Sequence, residues 1–180
     1  HHDAYLRTFR RLDLDAQPVE ASSGAMGGSA SIEFMVESDA GEDDVAICEG
    51  CGYAANVERA TAVPAPVENR PGSDSPEAFP TPGVRTIAAL AEAGHPPAHQ
   101  IKTLVYRVDG VLTLILLRGD HPFLEQKFAD ATGAVDIVPA EADEIRAALD
   151  ASPGSLGAVG VSDLEIYADE ALRGRSGMTT

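Results

Sequence analysis

A chain of 180 residues with 44% hydrophobic positions can bury a sizeable core in one or two domains. Its formal net charge of −16 opposes non-specific adhesion to nucleic acid or to an anionic membrane, so any nucleic-acid role must rest on a confined basic spot. No apolar run nears the ~20 residues of a membrane helix, and no basic region followed by an apolar stretch opens the chain, which predicts a cytoplasmic protein with no membrane partner.

Along the chain, Tyr5, Leu6, Phe9 and Leu12 recur at helical spacing, with Arg7, Arg10 and Arg11 on the other side, so residues 3–14 read as an amphipathic helix. Gly24, Gly27 and Gly28 precede a strand expected over residues 31–36. Such glycines serve a plain turn or a close backbone approach to a ligand, and no nucleotide-cradling glycine motif accompanies them. An acidic turn leads to a short strand over residues 45–48, and Asn56 is placed to cap a helical turn. Cys48 and Cys51 form one C-x-x-C pair, half of a tetrahedral zinc site; with no second pair they read as reduced thiols in a tight turn, and no metal is expected.

Composition then changes. Residues 63–82 hold six prolines, an extended and linker-like stretch that marks a domain boundary. A short helix is expected over residues 86–93, ended by Gly94 and barred by Pro96 and Pro97. Two β-branched-rich runs, residues 101–108 and 111–117, flank Asp109-Gly110, the strongest short-range hairpin signal. Further on come a helix over residues 123–131 ending at Gly133, a strand over 135–138, and a helix with Pro139 in its first turn and Ile145, Ala148 and Leu149 inward. A glycine-punctuated loop over residues 152–157 suits either a tight connection or the presentation of backbone N–H groups, and a last strand over 164–167 leads to Asp169. Hairpin pairing mixed with helices indicates an α+β or mixed α/β domain with a largely antiparallel sheet.

Antiparallel pairing brings the outer ends of the hairpin together. Lys102 near the start of one strand meets Arg118, Asp120 and His121 after the other, either as ordinary polar closure of strands or as one side of a site.

The blocks HQIKTLVYRVDG, LLRGDH and SPGSLGAVGV, in this order and spacing, resemble the editing insertion domain of bacterial-type prolyl-tRNA synthetases, which is similar to stand-alone aminoacyl-tRNA deacylases of the same superfamily. Ahead of them, GAMGGSASIEF, GEDDVA and YAANVE resemble the part of the class II catalytic core that precedes that insertion. The resemblance implies residues 1–62 as a partial core segment, 63–82 as linker and 83–180 as an editing domain truncated at its C-terminus. Motifs 2 and 3 of the class II core are not matched, so the resemblance implies a fragment that does not itself form prolyl-adenylate.

Residue by residue, the resemblance makes Lys102 the lysine required for hydrolysis of mischarged alanyl-tRNA, with Thr103 beside it as a substrate contact. Gly154, Ser155, Leu156 and Gly157 correspond to the loop that contacts the aminoacyl group, Asp169 to an aspartate in the same pocket, and Arg118, Gly119, Asp120 and His121 to the pocket wall. Gly27, Gly28 and Glu33 correspond to a remnant of the adenylation site. Ile32 stands where the family has His, Ala158 where it has Pro, and Pro122-Phe123-Leu124 departs from Glu-Leu-Asn. Implied partners are the 3′ end of the proline tRNA and the remainder of the synthetase, with a homodimer formed through the full-length core. Editing is expected to need no cofactor, while ATP and Mg would serve the full-length enzyme. The competing expectation is a catalytically silent module that binds a tRNA end or docks on the synthetase.

Overall fold

The computed structural model describes residues 1–24, 31–73, 75–154 and 156–180. Its helices are α1 (His2–Arg11), α2 (Ile87–Glu92), α3 (Glu125–Thr132) and α4 (Ala142–Leu149). Its strands are β1 (Gln17–Ala21), β2 (Ser31–Met35), β3 (Val45–Ile47), β4 (Ala54–Asn56), β5 (Ile101–Val108), β6 (Val111–Arg118), β7 (Ile137–Pro139) and β8 (Glu165–Ala168). None of the described helices is long and apolar enough to cross a membrane. The chain divides into two compact units, residues 1–63 with 124–133 and residues 64–123 with 134–180.

The first unit holds a mixed sheet in the order β2-β1-β4-β3, with β1 antiparallel to β2 and parallel to β4. Val19 and Ala55 are fully buried in it, and the rings of Tyr5 and Phe9 on α1 lie 5.2 and 5.7 Å from that of Phe34 on β2. The helix stops at Arg11, short of the expected residue 14, because Asp13 turns into the left-handed region at φ 59° and the Leu14 N–H returns to the Phe9 carbonyl. Strand β1 escaped sequence reading, since five residues containing Pro18 carry little pattern. Asn56 ends a strand instead of opening a helix, although its Oδ1 does accept from the Arg59 N–H at 3.0 Å and closes one turn.

Helix α3 belongs to this first unit. Lys127 donates to the Ala60 carbonyl at 2.6 Å, and the Asp130 carboxylate accepts from the Ser22 hydroxyl at 3.3 Å and lies 3.8 Å from Arg59. Reading the chain linearly had set this helix among the C-terminal elements.

The second unit is built on a mixed sheet in the order β7-β5-β6-β8. Strands β5 and β6 pair in full register from Ile101 opposite Arg118 to Val108 opposite Val111. Asp109 at φ 47° and Gly110 at φ 83° make the turn, positive φ at both central residues being what a type I′ hairpin needs. The Asp109 carboxylate also accepts from the Val135 and Asp136 N–H groups at 3.0 and 2.8 Å, which seats β7 beside β5.

Val105, Leu114 and Ile145 form the centre of the core, with Leu156 and Leu164 packed against it. Pro139 closes β7 and does not open α4; that helix is started by a capping box in which the side chains of Glu141 and Glu144 each accept from the other's backbone N–H. The described residues of the Pro-rich stretch form neither helix nor strand, and from residue 64 on they belong to this unit and are fastened to it. Arg175 donates to the Val67 carbonyl at 2.5 Å, the Asn69 amide donates to the Gly174 carbonyl at 3.1 Å, and the Asn69 carbonyl oxygen accepts from the Ser176 N–H at 3.2 Å.

Candidate active site

A cavity of about 590 Å³ opens in the second unit. Strand β7 pairs with β5 only from Tyr106 to Val108, so the N-terminal half of β5 is left as an edge, and residues 100–106 line the cavity along it. Helix α2, the segment leading into it, and the loop around Gly154 and Gly157 supply the other walls. The Thr86 hydroxyl accepts from the Ala89 N–H and fixes the start of α2, while Gly94 leaves it at φ 97°.

Lys102 lines this cavity and sends its ammonium to the turn after β6, where Nζ donates to the His121 carbonyl at 2.5 Å. Burial lowers the Lys102 pKa, and the nearby Asp120 carboxylate opposes that shift. The turn is held by a fork. Arg118 Nε and Nη2 donate to the two Asp120 oxygens at 2.6 and 3.1 Å, and this hydrogen bonding holds the Asp120 carboxyl below its usual range. His121 lies between two carboxylates, Nε2 at 4.0 Å from Asp120 and Nδ1 at 3.7 Å from Asp169. Asp169 itself accepts from the Ala171 N–H at 2.9 Å and so caps the turn after β8. Gly119 is glycine for lack of room: a Cβ there would stand 2.6 Å from the Pro97 carbonyl.

Five of the residues singled out in the sequence, Lys102, Thr103, Gly154, Leu156 and Gly157, therefore line one cavity. Arg118, Gly119, Asp120, His121 and Asp169 do not line it; they form a polar cluster that receives the Lys102 ammonium. Gly27, Gly28 and Ser155 lie outside the described residues. Glu33 sits in the first unit, on β2 opposite Val19. Gln100 was missed although it is fully buried: its amide nitrogen donates to the carbonyls of Ile87 and His95 at 2.9 and 2.5 Å. Phe79 and Arg85 were missed because a proline-rich label covers or adjoins them; a lone aromatic in a polar stretch was the available signal.

A cavity along the part of β5 that β7 leaves uncovered, with a partly desolvated lysine and two glycines in its lining, is a site of the kind that takes a small ligand. The family model for the aminoacyl-tRNA editing domain matches residues 81–180, more than half of the chain, and the protein belongs to that family. It is 48% identical over 179 residues to Proline--tRNA ligase 1 of Anaeromyxobacter dehalogenans (strain 2CP-C), covering 98% of this chain and 31% of that protein. Over 173 residues it is 39% identical to the Proline--tRNA ligase of Caldicellulosiruptor bescii, covering 96% of this chain and 30% of that protein. The chain thus spans about a third of the length of the curated relatives it matches. Among solved structures it is similar to a candidate trans-editing enzyme for prolyl tRNA synthetase, at 26% identity and a TM-score of 0.46 over 51% of this chain and 59% of that one.

Proposed function

We propose that the second unit is an editing hydrolase that cleaves the ester of alanine wrongly attached to the proline tRNA, within a prolyl-tRNA ligase whose class II core includes the first unit. The observation that carries this reading is Lys102, which lines the cavity together with Gly154 and Gly157 and whose ammonium, partly stripped of water, is held by the His121 carbonyl. A volume of about 590 Å³ falls within the roughly 300–1,000 Å³ of small-molecule sites, enough for an aminoacyl group and its terminal nucleoside.

The need for such a site is energetic. A binding pocket rejects a ligand one or two methylenes smaller by only about 1–3 kcal/mol, so a synthetase that accepts proline requires a second site that destroys the smaller product. Hydrolysis adds water to the ester carbonyl and releases alanine and the terminal ribose hydroxyl. Lys102 contributes as a point charge, on the terminal phosphate or on the carbonyl oxygen as negative charge develops there. The basic spot that offsets a charge of −16 comprises Lys102 and Arg85 at the cavity. In the whole ligase, ATP and Mg would serve the aminoacylation core, the rest of the synthetase would supply most tRNA affinity, and the core would carry the dimer contact.

Deacylation of alanyl-tRNA and prolyl-tRNA, both on the proline tRNA, tests the reading. Selective release of alanine is expected. Binding of tRNA with no ester hydrolysis would replace the hydrolase by a silent tRNA-end-binding module, and equal rates for the parent and Lys102→Ala would remove the role given to Lys102.

A further inference from the structure

Antiparallel pairing of β3 with β4 runs from Val45 opposite Asn56 to Ile47 opposite Ala54. The next rung sets Cys48 opposite Tyr53, and the Cys48 N–H donates to the Tyr53 carbonyl at 2.8 Å. Residues 49–52 must then reverse the chain between those two. They do so with Gly52 in the left-handed region at φ 74°, its N–H returning to the Cys48 carbonyl at 2.8 Å. Cys48 is thereby anchored at a strand end, and Cys51 is carried back toward it by the closing loop.

The Cys48 sulfur turns in over this loop. It is the heavy atom that a Cβ built at Gly50 would meet, at 3.9 Å. There it faces the Cys51 thiol and the N–H groups of Cys51 and Gly50, and these donors favour its thiolate, the nucleophilic form. All of these contacts lie within residues 45–56. Both cysteines are exposed free thiols, and they are the two that the chain contains. Among the described residues no third His, Cys, Asp or Glu joins them in a group able to hold a metal ion. The pair is thus a dithiol with one nucleophilic member and one neighbour in reach.

We propose that Cys48 and Cys51 are a thiol–disulfide exchange site, in which Cys48 attacks a small-molecule disulfide of the glutathione class and Cys51 resolves the product. The Cys48 thiolate bonds to one sulfur of that disulfide, whose S–S bond breaks and releases one thiolate, which takes a proton from solvent. The Cys51 sulfur then attacks the mixed disulfide left on Cys48. That S–S bond breaks in turn, the Cys51 proton passes to the second departing thiolate, and a Cys48–Cys51 disulfide remains. Two electrons leave the protein dithiol, and one small disulfide becomes two thiols. The new bond ties the tip of the β3–β4 hairpin at a rung that the backbone already holds, and a reducing dithiol reverses it. The site lies in the first unit and is independent of the editing reading.

Oxidised glutathione added to the reduced 180-residue chain at neutral pH tests it, with acid quenching and mass spectrometry of the intact chain and its peptides. The parent is expected to lose two hydrogens, with Cys48 and Cys51 joined within one chain, and to regain them in dithiothreitol. Cys51→Ser, which keeps a hydroxyl donor beside Cys48 but cannot resolve, is expected to accumulate one glutathione on Cys48. Cys48→Ser is expected to take glutathione on Cys51 about tenfold more slowly than Cys51→Ser takes it on Cys48. Glutathione retained on both cysteines of the parent, a disulfide formed only between chains, or thiols left unreacted overturns the inference. Equal rates for the two variants overturn it as well, because Cys48 is then not the attacking sulfur.

Discussion

The Lys102 ammonium donates to the main-chain carbonyl of His121 at 2.5 Å, so the position of the charge is set by the turn after β6 and not by a carboxylate partner. Removing it should abolish chemistry without unfolding the sheet, since the Lys102 side chain is only partly buried. Lys102→Ala is expected to lose about 10²-fold or more in deacylation, the lower range for a positioned catalytic group, while its circular dichroism and melting curve stay near those of the parent. Lys102→Arg is expected not to restore the rate, because a planar fork cannot take the place of a compact ammonium.

The same lysine predicts a pH limb. Its charged form is disfavoured by burial, so it deprotonates below the 10.5 of an exposed lysine. If the ammonium is the acting form, kcat/KM, corrected for spontaneous ester hydrolysis, falls with an apparent pKa below 10.5. A rate that stays flat through that region would show that the charge is not used.

Arg118 is about nine-tenths buried, and Asp120 neutralises it through both oxygens. Asp120→Asn leaves the guanidinium with a weaker partner and is expected to cost about 1–2 kcal/mol in urea unfolding, discounted from the fully buried case because the carboxylate is 36% exposed. The sign of the pH effect follows. The folded pKa of Asp120 is depressed, so its stabilisation is complete above the unfolded value of 3.8 and is lost as pH falls through the folded value. Asp120→Asn should therefore narrow the stability difference from the parent as the pH is lowered past 3.8.

Gly119→Ala places a methyl 2.6 Å from the Pro97 carbonyl, a backbone atom that cannot swing aside. A loss of about 1–3 kcal/mol is expected from such overpacking, read as a lower urea midpoint, and deacylation should fall with it as the adjoining turn shifts.

Cys48 and Cys51 are exposed free thiols in the turn between β3 and β4. Hydrogen bonding from the Cys51 thiol, then from the Cys51 and Gly50 N–H groups, lowers the Cys48 pKa. Iodoacetamide followed by mass spectrometry is expected to modify Cys48 ahead of Cys51 at neutral pH, and Cys51→Ala should slow that modification.

The hairpin was legible because its signal is local: Asp109-Gly110 between two β-branched runs dictates turn type, register and which ends meet. From that alone Lys102, Arg118, Asp120 and His121 could be brought together. What could not be read was which of them face the cavity, since that depends on where β7 stops covering β5, a non-local pairing that the residues of β5 do not encode. For the same reason nothing local singles out Gln100. Its importance comes from two carbonyls, Ile87 and His95, that only tertiary packing delivers. The segment over residues 63–82 shows the converse: composition implied a stretch without helix or strand but carried no sign of Arg175 and Gly174, more than a hundred positions away, that tie it down.

The assignment of α3 to the first unit means that the polypeptide passes back and forth between two bodies. On a ribosome, the earlier unit lacks α3 until residue 133 has been made, by which time the β5–β6 hairpin of its neighbour has already been synthesised. Neither body can be released whole by a single cut, because each is assembled from two separate stretches of chain, and the first must keep its finished four-stranded sheet waiting for the helix that covers it.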